Sequence, residues 1–353
     1  MDILVTGANG HLGYNLVAEL LAAGHTLRAG LRSLRERDKR ERLEALGRVR
    51  VVETDLDQPQ RLAAAMEGVD VLCHAAAVYS ICEPRREQEL WRASTSGLAG
   101  TLRAAAQARV RKVVLTSSMV TVPLTAPGAA PSTEAEWNDD LRVPYLRAKT
   151  EGERRAWALA DELELPLVTV LPGAIGGPGF VRNTPTLDLL ETMMRGGFRA
   201  GVPRFNLPYV DVRDVAAAHR LAAERAVGGR FIVVNDEQPD FRALIEAMNR
   251  LDPQVKLPLA TLPDWALGAV PLFDRLNAWS LGTPRTVSAA LVATMRGKRY
   301  NASNRRARDE LDWAPRISLE RSLADTMEAL RRRGPRAGER SPAGSAAAAA
   351  PGR

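Results

Sequence analysis

Residues 3–13 read Ile3-Leu4-Val5-Thr6-Gly7-Ala8-Asn9-Gly10-His11-Leu12-Gly13, and the chain runs on through Leu16, Val17, Leu20 and Leu21. A short apolar run of strand character gives way to three glycines spaced three apart, and a helix-period pattern starts inside the glycine stretch. Gly7 permits a tight turn, Gly10 lets a backbone approach a pyrophosphate without a Cβ in the way, and Gly13 allows helix and strand to pack closely. The free N–H groups and positive end of the helix dipole then face the phosphates, so Asn9, His11 and Leu12 join the glycines as cofactor-contacting positions. Glycine turns between strand and helix are also common structural devices; the position after the first strand of an alternating chain is what favours a dinucleotide here.

Outward from this turn, short β-rich runs alternate with amphipathic stretches. The strand candidates are residues 3–5, 26–31, 49–53, 69–74, 112–116 and 167–171, and the helical ones include 12–23, 36–46, 59–66 and 87–108. That rhythm predicts an α/β fold with a doubly wound parallel sheet, binding its ligand at the carboxyl ends of the strands. Past about residue 172 the rhythm loosens, with one more clear strand at 231–234. We therefore expect a dinucleotide-binding domain over 1–171, to which part of 208–236 returns, and a smaller interwoven substrate lobe over 172–332. Residues 333–353, rich in Pro, Gly, Ser and Ala, are expected to form a disordered tail.

The second strand ends Arg28-Ala29-Gly30-Leu31-Arg32, with no carboxylate before Glu36. An acid there would suit the ribose 2′-hydroxyl of NAD, whereas an arginine accommodates the 2′-phosphate of NADP, so NADP(H) is favoured over NAD(H). Arg35 and Arg40 read as a solvated helix face. Asp55-Leu56, after the third strand, offers a carboxylate to an adenine amino group, a pair that says little by itself.

Pro144-Tyr145-Leu146-Arg147-Ala148-Lys149 sets Tyr and Lys at i and i+4 on one face of a helix that Pro144 is suited to start. A phenol near its reference pKa of about 10 is a slow acid or base at neutral pH, and a nearby ammonium would favour its phenolate. Tyr-x-x-x-Lys is common by chance as a surface pair. It gains force here by following the strand ending Leu115-Thr116-Ser117-Ser118, which faces the expected crevice.

Taken together, the Thr6-Gly7-x-x-Gly10-x-x-Gly13 turn, Asp55-Leu56, His74-Ala75-Ala76-Ala77, Thr116-Ser117-Ser118, Tyr145-x-x-x-Lys149, Leu171-Pro172-Gly173 with Gly177-Pro178, 209–216 and 310–315 stand in the order of a known family. Over residues 2–330 the chain resembles the extended short-chain dehydrogenases/reductases, and within them the dihydroflavonol reductase-like carbonyl reductases. Arg32 and Lys39 at phosphate-reading positions, the 134–138 segment and Pro144 before Tyr145 carry the narrower likeness. The resemblance implies a Rossmann-type sheet, with Tyr145 as proton donor, Lys149 on the nicotinamide ribose and Ser118 on the substrate carbonyl. It also implies that Ala75, Ala76, Ala77, Thr116, Pro172, Gly173, Ala174 and Ile175 contact the cofactor. Dimerisation would use helices 87–108 and 144–163. The family's Asn and Thr of an Asn-x-x-Gly-Thr pattern are Ser94 and Leu98 here, and its usual Arg before Pro172 is Leu171.

The remaining features exclude more than they add. Of the net charge of +7, +5 falls in 331–353, where six arginines face one glutamate and no aromatic residue is interleaved, so no nucleic-acid partner is expected. Cys73 and Cys82 are too few for a disulfide framework and fit a reducing, cytoplasmic setting; no secretion signal is read at residues 1–5. The apolar stretch 258–281 is interrupted by Pro263, Asp264, Pro271, Asp274 and Arg275, so no membrane partner is expected either. The histidines lack metal-ligand spacing, and no metal is expected. Trp91, Trp157 and Trp313 read as core, Trp137 as a candidate substrate wall, and Tyr79, Phe205 and Tyr209 as pocket candidates. The expected activity is NADPH-dependent reduction of a small-molecule aldehyde or ketone. The rivals are a sugar-nucleotide epimerase or dehydratase holding NAD, against which Arg32 argues, and a non-catalytic NADP sensor, against which Tyr145 and Lys149 argue.

Overall fold

Every strand expected from the apolar runs is present in the computed structural model, which describes residues 1–79, 86–281, 285 and 287–333. In chain order the strands are β1 (Asp2–Thr6), β2 (Thr26–Leu31), β3 (Val49–Glu53), β4 (Val71–His74), β5 (Lys112–Thr116), β6 (Leu167–Pro172), β7 (Ala174–Gly176), β8 (Tyr209–Asp211) and β9 (Gly229–Val233). Seven form one parallel sheet in the order β3-β2-β1-β4-β5-β6-β9. The strand order reverses between β1 and β4, which places the ligand crevice of a doubly wound sheet at the end of β1, where the glycine turn lies. All six residues of β6 are buried, as a strand covered by helices on both faces requires.

The helices are α1 (His11–Ala22), α2 (Arg37–Glu44), α3 (Pro59–Met66), α4 (Glu87–Arg92), α5 (Leu98–Gln107), α6 (Pro144–Glu162), α7 (Pro185–Met194), α8 (Val212–Glu224), α9 (Phe241–Leu251), α10 (Val270–Leu281), α11 (Ala289–Met295), α12 (Arg305–Leu311) and α13 (Leu319–Arg333). The single helix expected over 87–108 contains a π-helical turn, Ala93–Gly97, between α4 and α5. Close packing accompanies it: a Cβ on Gly152 of α6 would lie 2.3 Å from the carbonyl oxygen of Ser94.

One apolar core lies between α1, α8 and the β1–β2 side of the sheet and includes Trp313, whose indole N–H donates to the carbonyl of Asp214 at 2.8 Å. A second packs α3, α5 and α6 on the opposite face. A third gathers β6, β9, α7, α9, α11 and α13, with Leu171 fully buried in it. β7 and β8, three residues each, pair parallel outside the main sheet and were not legible in the sequence. Their neighbourhood explains Gly176, since a Cβ there would overlap the buried ring of Tyr209. The tail expected to be disordered lies, from residue 334 on, outside the described residues, as does Cys82.

Candidate active site

A cavity of about 300 Å³ opens at the carboxyl ends of the strands. It begins at the glycine turn, where Gly10, His11, Leu12 and Gly13 border it. Gly7 has φ +68° and sits so tightly on β4's exit that a Cβ would stand 2.7 Å from the Cα of Ala76. A Cβ on Gly13 would lie 2.1 Å from the carbonyl oxygen of Gly7. Both are therefore demanded by the protein's own packing. Gly10 differs: its nearest neighbour is Gly7's oxygen at 3.2 Å, and it faces the cavity. No side chain caps α1, so the N–H groups of its first turn stay available to a ligand. That combination fits a pyrophosphate, for which a side chain at Gly10 or a cap on α1 would be in the way.

Of the other positions expected at the cofactor, Ala75, Ala77, Thr116, Pro172, Gly173, Ala174 and Ile175 border the same cavity. Asn9 sits in the turn itself, and Ala76 backs Gly7. Arg32 follows β2 with its side chain 73% exposed, and its guanidinium stands 3.8 Å from Asp55 and 3.7 Å from Asp57, loose pairs that an anion can displace. Lys39, on α2, pairs with Glu36 of the preceding turn. Asp55 accepts from the backbone N–H of Asp57 at 3.2 Å and from Gln58 at 3.3 Å, so it shapes the entry to α3, while Leu56 joins the core beneath α3 and α5.

Tyr145, Lys149 and Ser118 all line this cavity. Pro144 occupies the first turn of α6, and Tyr145 and Lys149 rise from its inner face. Ser118, just past β5, lines the cavity beside Tyr145. Burial holds the phenol well above its ordinary value, Tyr79 and Tyr300 push the same way, and the Ser118 hydroxyl opposes them. Burial and the neighbouring phenols thus favour the neutral phenol. Tyr79 leans over it, with ring centroids 4.8 Å apart. Burial lowers the Lys149 ammonium to about 8, and Glu153 opposes that shift.

The profile of the NAD dependent epimerase/dehydratase family matches residues 3–235, which span the glycine turn, the tyrosine–lysine helix and β9. The chain belongs to this family. It is similar to tetraketide alpha-pyrone reductase 2 of Arabidopsis thaliana, with 30% identity over 71% of this chain and 83% of the relative. It is also similar to sterol demethylase protein B of Methylococcus capsulatus, with 32% identity over 95% of this chain and 99% of the relative. Among solved structures, gox2253 superimposes with a TM-score of 0.80 at 28% identity, covering 94% of this chain and 98% of that one. The family match together with reductase-named relatives, the Arabidopsis protein among them, makes the chain an oxidoreductase.

Within that family frame, several expectations need correction. Trp137 is no substrate wall: its ring carries the Arg230 guanidinium at 3.6 Å and stays outside the cavity lining. Tyr209 is fully buried and bonds to Ser322 at 2.8 Å. Phe205 and Tyr79 do line the cavity. Sequence reasoning missed the group beneath the site. Glu153, four residues beyond Lys149, is buried and accepts from Ser117 at 2.6 Å, Thr169 at 2.8 Å and Arg230 at 2.9 Å. Arg230, on β9, also donates to the carbonyls of Glu134 and Glu136 and to Thr121. The i, i+4, i+8 spacing of Tyr145, Lys149 and Glu153 was a readable sign that Glu153 shares their buried face.

The histidines are structural. Nε2 of His11 donates to the carbonyls of Gly177 and Pro178, each at 3.1 Å, tying the glycine turn to the loop after β7. His219 donates from Nδ1 to the Val215 carbonyl and takes Thr116's hydroxyl on Nε2 at 2.8 Å. Burial lowers both, like His74, to about 4, so all three stay neutral near pH 7. Burial also pushes the Cys73 thiol up to about 12, as an inert core residue requires. No cluster of potential metal ligands occurs among the described residues.

Proposed function

We propose that this protein reduces the carbonyl of an apolar small molecule to an alcohol, using NADPH. The observation that carries the reading is the convergence of a buried Tyr145 with Ser118 and Lys149 in a cavity that starts at the uncapped glycine turn and is walled mostly by apolar side chains, among them Leu189, Phe205, Phe241, Val287, Leu291 and Met295. Residues 1–171, with the return of 208–236, would hold the dinucleotide, and 172–332 would supply most of the apolar wall. A bound nicotinamide supplies the hydride to the carbonyl carbon. Tyr145 Oη gives its proton to the carbonyl oxygen, Ser118 Oγ donates a hydrogen bond to the same oxygen, and the Lys149 ammonium stabilises the phenolate left behind. The apolar walls keep water from competing for that proton.

Such walls suit a sterol-like or polyketide-like body, in keeping with the names of the two relatives, and suit a sugar nucleotide poorly, because they present few partners to its hydroxyls. Arg32, exposed and only loosely paired at the end of β2, supports NADPH over NADH. Pairing of two copies through α4, α5 and α6 rests on the family resemblance. The test is a fluorescence titration with NADPH and NADH followed by a carbonyl panel graded by size and polarity. Tight NADPH binding and turnover of apolar ketones support the reading; copurified NAD with epimerisation of a sugar nucleotide would replace it.

A further inference from the structure

α10 and the 3₁₀ turn before it, Asp264–Ala269, carry the largest run of exposed apolar side chains on the described surface. Leu272, Leu276 and Trp279 recur at i, i+4 and i+7, a single stripe along α10, with Phe273 beside it. Trp265 and Trp279 are each 86% exposed, as far out as large aromatic residues go, and Leu259 is 78% exposed just upstream. Scattered surface leucines need no explanation, but two tryptophans and a leucine–phenylalanine stripe gathered in one short segment do.

The charge carried by the same stretch of chain selects its occupant. Residues 256–299 carry Lys256, Arg275, Arg285, Arg296, Lys298 and Arg299 against Asp264 and Asp274. All six basic side chains are exposed, and Arg275 adjoins the apolar stripe on the helix surface. Tryptophan with an apolar face and an excess of arginine and lysine in the same stretch is the composition of a segment lying in the interface of an anionic bilayer; a second copy of the same segment would set like charges against each other. Among the described residues no helix is long and apolar enough to cross a membrane.

We propose that the 3₁₀ turn and α10 dock this protein on anionic lipid surfaces. α10 packs against α11, whose Leu291 and Met295 line the active-site cavity together with Val287. The lipid-facing stripe and the apolar cavity wall thus belong to neighbouring helices, an arrangement that admits a substrate partitioned into the bilayer. That second step rests on the proposed carbonyl reduction; the docking itself does not.

The test is sedimentation of the full chain with phosphatidylcholine vesicles containing roughly a third phosphatidylglycerol, alongside pure phosphatidylcholine vesicles and light-scattering mass measurements. We expect binding to the anionic vesicles that weakens with salt, much less binding to the neutral ones, and a loss of about tenfold or more in both Trp265→Ser/Trp279→Ser and Leu276→Glu. These positions are exposed, so the variants should keep the parent melting temperature and turnover of a water-soluble carbonyl. No sedimentation with anionic vesicles overturns the proposal. So does a parent dimer that the same substitutions convert to a monomer, which would make the stripe a subunit contact. Docking without turnover of any carbonyl would leave the surface standing and overturn only the reading of the site.

Discussion

Replacing Glu153 by Gln should reach both the stability of the fold and the proton economy of the site. Gln keeps the shape and an acceptor for Ser117 or Thr169 but removes the charge facing Arg230, whose side chain is only 8% exposed. Breaking a buried pair by neutralising one partner costs about 3–5 kcal/mol, and the low end applies because Arg230 keeps the carbonyls of Glu134 and Glu136, Thr121 and the Trp137 ring. With an unfolding entropy near 2.1 cal/mol/K per residue over about 330 residues, ~3 kcal/mol lowers the melting temperature by about 4 °C. The second consequence concerns Lys149, which burial lowers to about 8 while Glu153 holds it up. Since Glu153's charge favours the ammonium, its removal lowers the lysine further. Activity that needs the ammonium is lost as pH rises through this value, so the alkaline limb of the kcat/KM profile, near pH 8 in the parent, should move to lower pH by about one unit, roughly 1.4 kcal/mol of lost interaction. Calorimetry and a pH–rate series check the two parts. Glu153→Gln/Arg230→Met should recover most of the stability but not the pH profile. A melting shift under about 1 °C together with an unmoved limb would refute the reasoning, because it would mean that the carbonyls and the Trp137 ring satisfy Arg230 and that Glu153 does not act on Lys149.

Tyr145→Phe should abolish turnover while leaving NADPH affinity within about twofold, as read by fluorescence titration, because the ring's packing against Tyr79 survives and only the donated proton is lost. Gly10→Ala and Gly13→Ala should separate binding from folding. The first should weaken dinucleotide binding by about tenfold or more with little change in melting temperature, whereas the second should cost several kcal/mol of stability through its 2.1 Å overlap with Gly7. Arg32→Asp should reverse the ratio of NADPH to NADH affinity with the fold intact, since the arginine's present partners are loose; an unchanged ratio would remove it from the 2′-phosphate site.

Much of the frame was legible because it rests on local and periodic properties. The apolar runs that become β1 to β6 and β9 are strand-length and β-rich, and their alternation with amphipathic segments is enough for a parallel doubly wound sheet. The glycine turn was readable because two of its glycines answer a steric demand that only glycine meets. Tyr145 and Lys149 were readable because helical spacing puts them on one face. What needed the folded chain is what joins distant segments. Arg230, 77 residues beyond Glu153, reaches it only because β9 pairs with β6 under α6; helical spacing places the carboxylate on the buried face, but no local pattern announces the partner that neutralises it. Trp137 stands near the site in sequence terms but turns to Arg230. The upward push on Tyr145 follows from burial, with Tyr79 stacked on its ring and Tyr300 adding to it, residues that arrive from loops far along the chain. The apolar stretch around α10 showed in sequence that it could not span a bilayer; that its tryptophans point outward was decided by which face α11 and the 3₁₀ turn cover. Sequence period determines which face of an element is apolar, and only packing determines whether that face finds a partner.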